Sequence, residues 1–246
     1  MIKKPLFGRK RRENCSIAII INAYYSAPQY IAQSLRLKEE FEKLGATADI
    51  VRNDGFFGRI DNDNIKTYFG NYSACVFLDK DKYLSEMLEM SGITIFNSHK
   101  TIVDCDDKMT TYIRLAGNGV SIPKTLPGLL CYNPYEQIRE QTIAIIENQL
   151  GYPLVVKECY GSQGSGVYPV FDRGQLYSAM ERVKLKPHLI QRMITSSLAK
   201  DVRVIVIGGK AVGAMLREGS DGFHSNVGQG GRGSAYSLSA SFRDSA

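Results

Sequence analysis

The sequence predicts an α/β unit followed by an α+β unit, and two patterns predict it. Up to about residue 98, short apolar β-branched runs alternate with amphipathic helical segments, the order of a parallel sheet covered by helices. Farther along, pairs of β-prone runs flank loops rich in glycine, the order of antiparallel hairpins. At 246 residues, 43% of them hydrophobic, the chain can bury two cores.

Element by element, CSIAIII (15–21) is apolar throughout, as a strand buried on both faces should be. YIAQSLRLKEEFEKLG (30–45) places Ile31, Leu35, Leu37, Phe41 and Leu44 at roughly helical spacing and stops at Gly45. ADIVR, ACVFLDKD and GITIFN supply further strands, the last after the helical YLSEMLEM. Between them, NDGFFGRIDNDN (53–64) reads as a loop, with Phe56 and Phe57 expected to cover the core and Arg59 at its edge. The first strand-to-helix turn, INAYYSAPQYIA, lacks GxGxxG, and no acid closes the second strand, so a dinucleotide site is not expected there.

In the second part, DDKMTTYIRLAGNGV (106–120) predicts a helix with Asp106 at its N-cap and a Gly-Asn-Gly stop. SIPKTL is extended because Ile122 precedes a proline. YEQIREQTIAIIENQLG (135–151) predicts an amphipathic helix ending at Gly151. PLVVKE and GVYPV are β-prone, LIQRMI is a strand, and DVRVIVIGG with KAVGAMLR forms a hairpin in which Val202, Val204 and Val206 alternate with Arg203 and Ile205.

Composition excludes several classes. No run of roughly 18 apolar residues exists and no signal-peptide cleavage pattern follows the longest apolar stretch, so a soluble cytoplasmic protein without membrane contact is expected. Cys15, Cys75, Cys105, Cys131 and Cys159 are odd in number, widely spaced and without CxxC; with three scattered histidines they suggest neither disulfides nor a zinc site. The net charge of +6 comes from Lys3, Lys4, Arg9, Lys10, Arg11 and Arg12, and the rest of the chain is balanced. Residues 1–14 therefore read as a solvated basic tail in preference to a nucleic-acid patch. A nucleic-acid role would show as affinity that falls steeply with salt and vanishes without residues 1–12.

The stretch KECYGSQGSGV (157–167) sets Gly161, Gly164 and Gly166 after a lysine. A Walker A loop needs a lysine after its last glycine and a helix to follow. Here VYPV follows, strand-like and carrying Pro169, so a P-loop is excluded. The remaining geometry is a glycine-rich hairpin closing over phosphates, with Lys157 opposite in phase to Val156 and able to reach them from the incoming strand. An ordinary surface turn explains the glycines equally well on their own. A second loop, EGSDGFHSNVGQGGRGSA, carries six glycines between Gly219 and Gly233 at the end of the later hairpin and favours the nucleotide reading.

These stretches together, DDKMTTYIRLAGNGVSIPKTL, YPLVVKECYGSQGSGV, LIQRMI and KDVRVIVIGGKAVGAMLREGSDGFHSNVGQGG, spanning 106–231, resemble the ATP-grasp ligases, most closely the RimK-type carboxylate-amine ligases. The resemblance implies a Rossmann-like parallel-sheet pre-ATP-grasp domain at 15–98, an ATP-grasp N-terminal lobe at 99–188 with the glycine flap, and a partial C-terminal lobe at 189–246. It implies ATP as cofactor and an amide bond formed through an acyl phosphate, joining a carboxylate to an amine or amino acid such as glutamate. A protein substrate and homo-oligomerisation are left open.

Residue by residue, the resemblance assigns Lys108 and Lys157 to ATP and the loop Gly161, Ser162, Gln163, Gly164 to Gly166 to the flap. It assigns Arg192, Met193 and Ile194 to the hinge that meets adenine through its backbone, and Asp201 to the ribose. Arg203 and Arg217 fall to the phosphate or acyl phosphate, and His224, Ser225 and Asn226 to the segment beside the reacting phosphate. Arg192 stands where that family usually has an acid, and His224 where it has arginine. The bland counterparts are a solvated helix charge for Lys108, a turn residue for Asp201 and a core residue for Met193. That family also holds Mg²⁺ with an aspartate, a glutamate and an asparagine in a segment ending E-x-N, whereas here Asp244 is the only acid after Asp221. No metal ligand is therefore assigned, and the chain is expected to be truncated before that segment, binding ATP without completing the reaction alone. The alternative is a non-catalytic ATP-binding or regulatory module.

Overall fold

A computed structural model describes residues 15–162, 164–220 and 230–238. The chain packs as two compact units that divide after Asp104.

In the first unit, β1 (Ser16–Asn22), β2 (Thr47–Asn53), β5 (Ala74–Phe77) and β6 (Ile95–Phe96) form a parallel sheet in the order β2-β1-β5-β6. The inner position of β1 explains its unbroken apolar run. Ala18 and Ile20 face one core with Leu84 and Leu88 of α2 (Lys82–Met90). Ile17, Ile19 and Ile21 face the other, against Ile31, Leu37 and Phe41 of α1 (Pro28–Lys43). Leu35 and Leu44, expected on the same helix stripe, are exposed, Leu35 because it falls off that face and Leu44 because it is the C-cap beyond the last helical residue. Asp81 caps α2 by accepting from the amides of Tyr83 and Leu84.

The stretch read as a loop at 53–64 instead enters a hairpin, β3 (Gly58–Asp61) with β4 (Asn64–Thr67), turning through Asn62 and Asp63 at positive φ. Phe57 packs against the core as expected; Phe56 is exposed. The helix α3 (His99–Asp106) carries the chain across the division.

In the second unit, β7 (Thr125–Pro127), β8 (Leu154–Glu158), β9 (Val167–Val170) and β10 (His188–Arg192) form an antiparallel sheet in the order β7-β10-β8-β9. β10, which begins at the expected lobe boundary, lies inside this sheet. Register assigns its faces. Leu126, Ile190, Val156 and the paired Leu154 and Val170 point into a core closed by α5 (Glu140–Leu150) and α6 (Arg173–Val183). Thr125, Gln191, Val155 and Lys157 alternate to the opposite face.

Two boundaries differ from expectation. The helix α4 (Lys108–Leu115) is capped not by Asp106 but by Asp107, and Asp107 Oδ1 accepts from Met109 N at 2.8 Å and Thr110 N at 3.0 Å. α5 starts at Glu140 rather than near Tyr135, because Ile138 is held outside the helix by tertiary bonds: its amide donates to Glu181 and its carbonyl accepts from Tyr177. β11 (Lys200–Ile207), β12 (Lys210–Glu218) and β13 (Arg232–Ala235) form the last sheet, as antiparallel neighbours in chain order. Among the described residues no helix is long and apolar enough to cross a membrane.

Candidate functional site

The sheet face carrying Thr125, Val155, Lys157 and Gln191 is not covered by α5 and α6, and one wall of a cleft of about 620 Å³ is built from it. α4 adds Lys108 and, one turn on, Tyr112. The β8–β9 loop contributes Gly164, the segment after β10 contributes Met193 and Ile194, and the β11–β12 hairpin contributes Asp201 and Arg217. A volume of this size suits a nucleotide-sized ligand.

Lys108 occupies the first position of α4, where the helix dipole disfavours a cation. Its ammonium donates to the carbonyls of Cys159 at 3.3 Å and Gly161 at 3.1 Å, and its backbone amide also donates to Cys159 O. These bonds fix the entrance of the glycine loop to α4. Burial first, and then the nearby Asp107 carboxylate, push the Cys159 thiol up, which makes it a poor nucleophile.

Lys157 reaches into the cleft from β8, where its Nζ donates to Gln191 Oε1 at 2.6 Å. Its strand turns through the predicted hairpin. Gly161, Gly164 and Gly166 all adopt positive φ, and a Cβ at Gly166 would approach the Glu158 side chain to 2.8 Å. Ser162 bonds within the turn, its carbonyl accepting from Ser165 N. Gln163 lies outside the described residues, as do His224, Ser225 and Asn226.

Arg217 and Asp201, directly opposed on β12 and β11, form a two-point ion pair with N-to-O distances of 2.6 and 2.7 Å. Arg203 occupies the same face two residues farther along β11, opposite Met215; it is not among the described residues lining the cleft. The cleft therefore has Lys108, Lys157 and Arg217 converging from three elements, beside an apolar portion made by Val155, Val167, Met193 and Leu198. A polyanion joined to a flat apolar group matches that division, so the residues present fit ATP.

Arg192, Met193 and Ile194 all border the cleft, and Met193 is also largely buried at 7% exposure. The Arg192 amide donates to Lys124 O and the Met193 amide to Pro153 O, so neither serves a ligand in this arrangement. A backbone donor to a purine edge would come from Ile194 onward.

Gln191, Tyr112 and Val155 line the cleft and were not singled out from the sequence. The available signal was strand alternation through Ile190, which placed Gln191 on the face of Lys157. Magnesium, which the fold family implies, does not fit the described residues: among them no three His, Cys, Asp or Glu side chains converge on a metal position.

Comparison with known proteins identifies the family and the fold. The sequence model of the RimK-like ATP-grasp domain matches residues 105–246. Beta-citrylglutamate synthase B of Mus musculus is 36% identical over 164 residues, covering 65% of this chain and 41% of that protein. N-acetylaspartylglutamate synthase A of Homo sapiens is 35% identical over 158 residues, covering 63% and 39%. The chain thus spans about two fifths of the length of these curated relatives. Among solved structures, a RimK domain ATP-grasp protein from Sphaerobacter thermophilus has the same fold, with a TM-score of 0.61 at 20% identity over 81% of this chain and 71% of that one.

Proposed function

Because the chain belongs to the RimK-like ATP-grasp family, we propose that it serves an ATP-dependent carboxylate-amine ligase and that ATP occupies the cleft of the second unit. The observation that carries this reading is the convergence of Lys108 from α4, Lys157 from β8 and Arg217 from β12 on one cleft beside the glycine hairpin.

When bound, ATP would supply the phosphoryl group that activates a carboxylate as an acyl phosphate with release of ADP; an amine would then attack the acyl carbon and displace phosphate, giving an amide and a proton. The chain's residues account for binding and orientation. Lys108 and Lys157 hold phosphoryl oxygens from two sides, and the turn Gly161 to Gly166 lets backbone approach them without side-chain obstruction. Val155, Met193 and Leu198 receive the base. Arg217, oriented by Asp201, offers a planar donor group to charge that develops during phosphoryl transfer, and Arg203 extends the basic face toward the acceptor.

The names of both mammalian relatives contain glutamate joined to a second acid. Glutamate is accordingly the proposed amine, and a small polycarboxylate or acidic peptide the proposed acceptor. The test is incubation of the protein with magnesium ATP, ¹⁵N-glutamate and a panel of citrate, N-acetylaspartate and acidic peptides. Because no metal position is found among the described residues, the 246-residue chain alone is expected to bind ATP without forming amide. A protein that carries it together with a magnesium-holding segment is expected to give a labelled amide and ADP in equal amounts by mass spectrometry. No amide from any pair even with that segment present would instead favour a nucleotide-binding module without turnover.

A further inference from the structure

Lys157 is held in the cleft by a neutral group, and that choice has a chemical consequence. Gln191 is 3% exposed, and its amide is oriented from both ends. Its Nε2 donates to Thr125 Oγ1 at 2.8 Å, and its Oε1 accepts from Lys157 Nζ at 2.6 Å and from Tyr112 OH at 3.4 Å. Thr125 and Gln191 are paired across β7 and β10, while Lys157 lies diagonally across β8, so three strands and α4 meet at this one side chain.

The Thr125 bond fixes which end of the amide faces the lysine. Were the amide reversed, its NH₂ would oppose an ammonium, two donors at hydrogen-bond distance. A carboxylate at the same place would accept from Lys157 just as well, but would pair its charge and reduce its attraction for an anion. A neutral acceptor in a buried position directs the ammonium while leaving its charge for the ligand.

We propose that Gln191 is a positioning residue that aims the Lys157 ammonium at the phosphates of the bound nucleotide without neutralising it. This rests on the reading of the cleft as an ATP site. Gln191 acts through Lys157, so its effect belongs to the phosphate-dependent part of affinity and not to the part contributed by the base.

The experiment is calorimetric titration of the full chain with ATP and, separately, with adenosine. Variants are Gln191→Glu, Gln191→Met and Thr125→Val, with folding checked by circular dichroism. Gln191→Glu is expected to weaken ATP about tenfold, the scale of one charge-assisted contact, and to leave adenosine within about twofold. The loss should shrink as pH is lowered toward the range where the introduced carboxyl takes a proton, since a neutral acid again orients the lysine without opposing charge.

Gln191→Met, which removes the acceptor without adding charge, should weaken ATP selectively at every pH, and Thr125→Val should do so more mildly. Equal loss of ATP and adenosine, or unchanged ATP affinity in whichever of the three variants fold, overturns the proposal. Should none of the three fold, Gln191 is a packing residue first and the proposal also fails. A wild-type chain that binds no ATP refutes the functional reading itself and takes this inference with it, an outcome distinct from normal wild-type binding with indifferent variants.

Discussion

Arg217 and Asp201 face each other across β12 and β11 and share two hydrogen bonds, Nε to Oδ1 at 2.6 Å and Nη2 to Oδ2 at 2.7 Å. Both line the cleft, so the guanidinium's plane is set by a partner on its own sheet before any ligand arrives. Arg217→Lys keeps the charge and loses the two-point geometry. ATP affinity should fall about tenfold in a titration, with Asp201→Asn giving a smaller loss in the same direction.

Lys157→Met should weaken ATP by about 10- to 100-fold, the loss expected for a charge-assisted hydrogen bond of roughly 1.5–3 kcal/mol, while adenosine binding changes little. The methionine is similar in length and suits the apolar neighbours Val155 and Val167. Comparable loss for adenosine would show that the lysine acts on the shape of the cleft and not on phosphate.

Gly166 has φ of 69°, and an added Cβ would meet the Cβ, Cγ and Cδ of Glu158 within 2.9 Å. Gly166→Ala should therefore destabilise the hairpin by about 1–3 kcal/mol, read as a lower Tm, from strain in backbone and contact together. Gly45→Ala is the control: its φ is also positive, at 83°, but nothing lies within 4 Å of the added atom, so its cost should be smaller.

Alkaline pH should weaken the first unit. Burial pushes the Cys75 thiol from its ordinary 9.0 up to about 12. The folded state thus holds this proton more tightly than the unfolded state. The stabilisation is complete below pH 9 and is lost as pH rises from about 9 through about 12. Chemical denaturation across that range should show falling stability, and Cys75→Ala should flatten the slope even if it lowers stability at neutral pH.

The parts of the structure legible in the sequence were those set by local periodicity. The apolar run of β1, the opposite phases of Val156 and Lys157, and the alternation of β11 through Val202, Arg203 and Val204 each follow from which face a strand buries; at Ile205/Val206 a register irregularity ends that alternation and Val206 is exposed. What escaped depended on partners far along the chain. Gln191 acquires its role from Lys157 and Thr125, 34 and 66 positions away, and alternation through Ile190 marks only which face of the strand it takes, not the partners it meets there. The late start of α5 depends on Glu181 and Tyr177 in α6, which hold Ile138 out of the helix. The β3–β4 hairpin did carry a local signal, Ile60 and Ile65 around an Asn-Asp turn, but two phenylalanines and a glycine beside it resemble a loop more than a strand.

ATP is proposed to bind in the cleft between the β7–β10 sheet face and the β11–β12 hairpin. Amide hydrogen exchange of the full chain, with and without ATP, tests it most directly. Protection is expected to be confined to the β8–β9 glycine loop, the segment around Met193 and Ile194, and the β11–β12 strands near Asp201 and Arg217. Saturating ATP that leaves those segments unprotected, or protects only residues before Asp104, would contradict it.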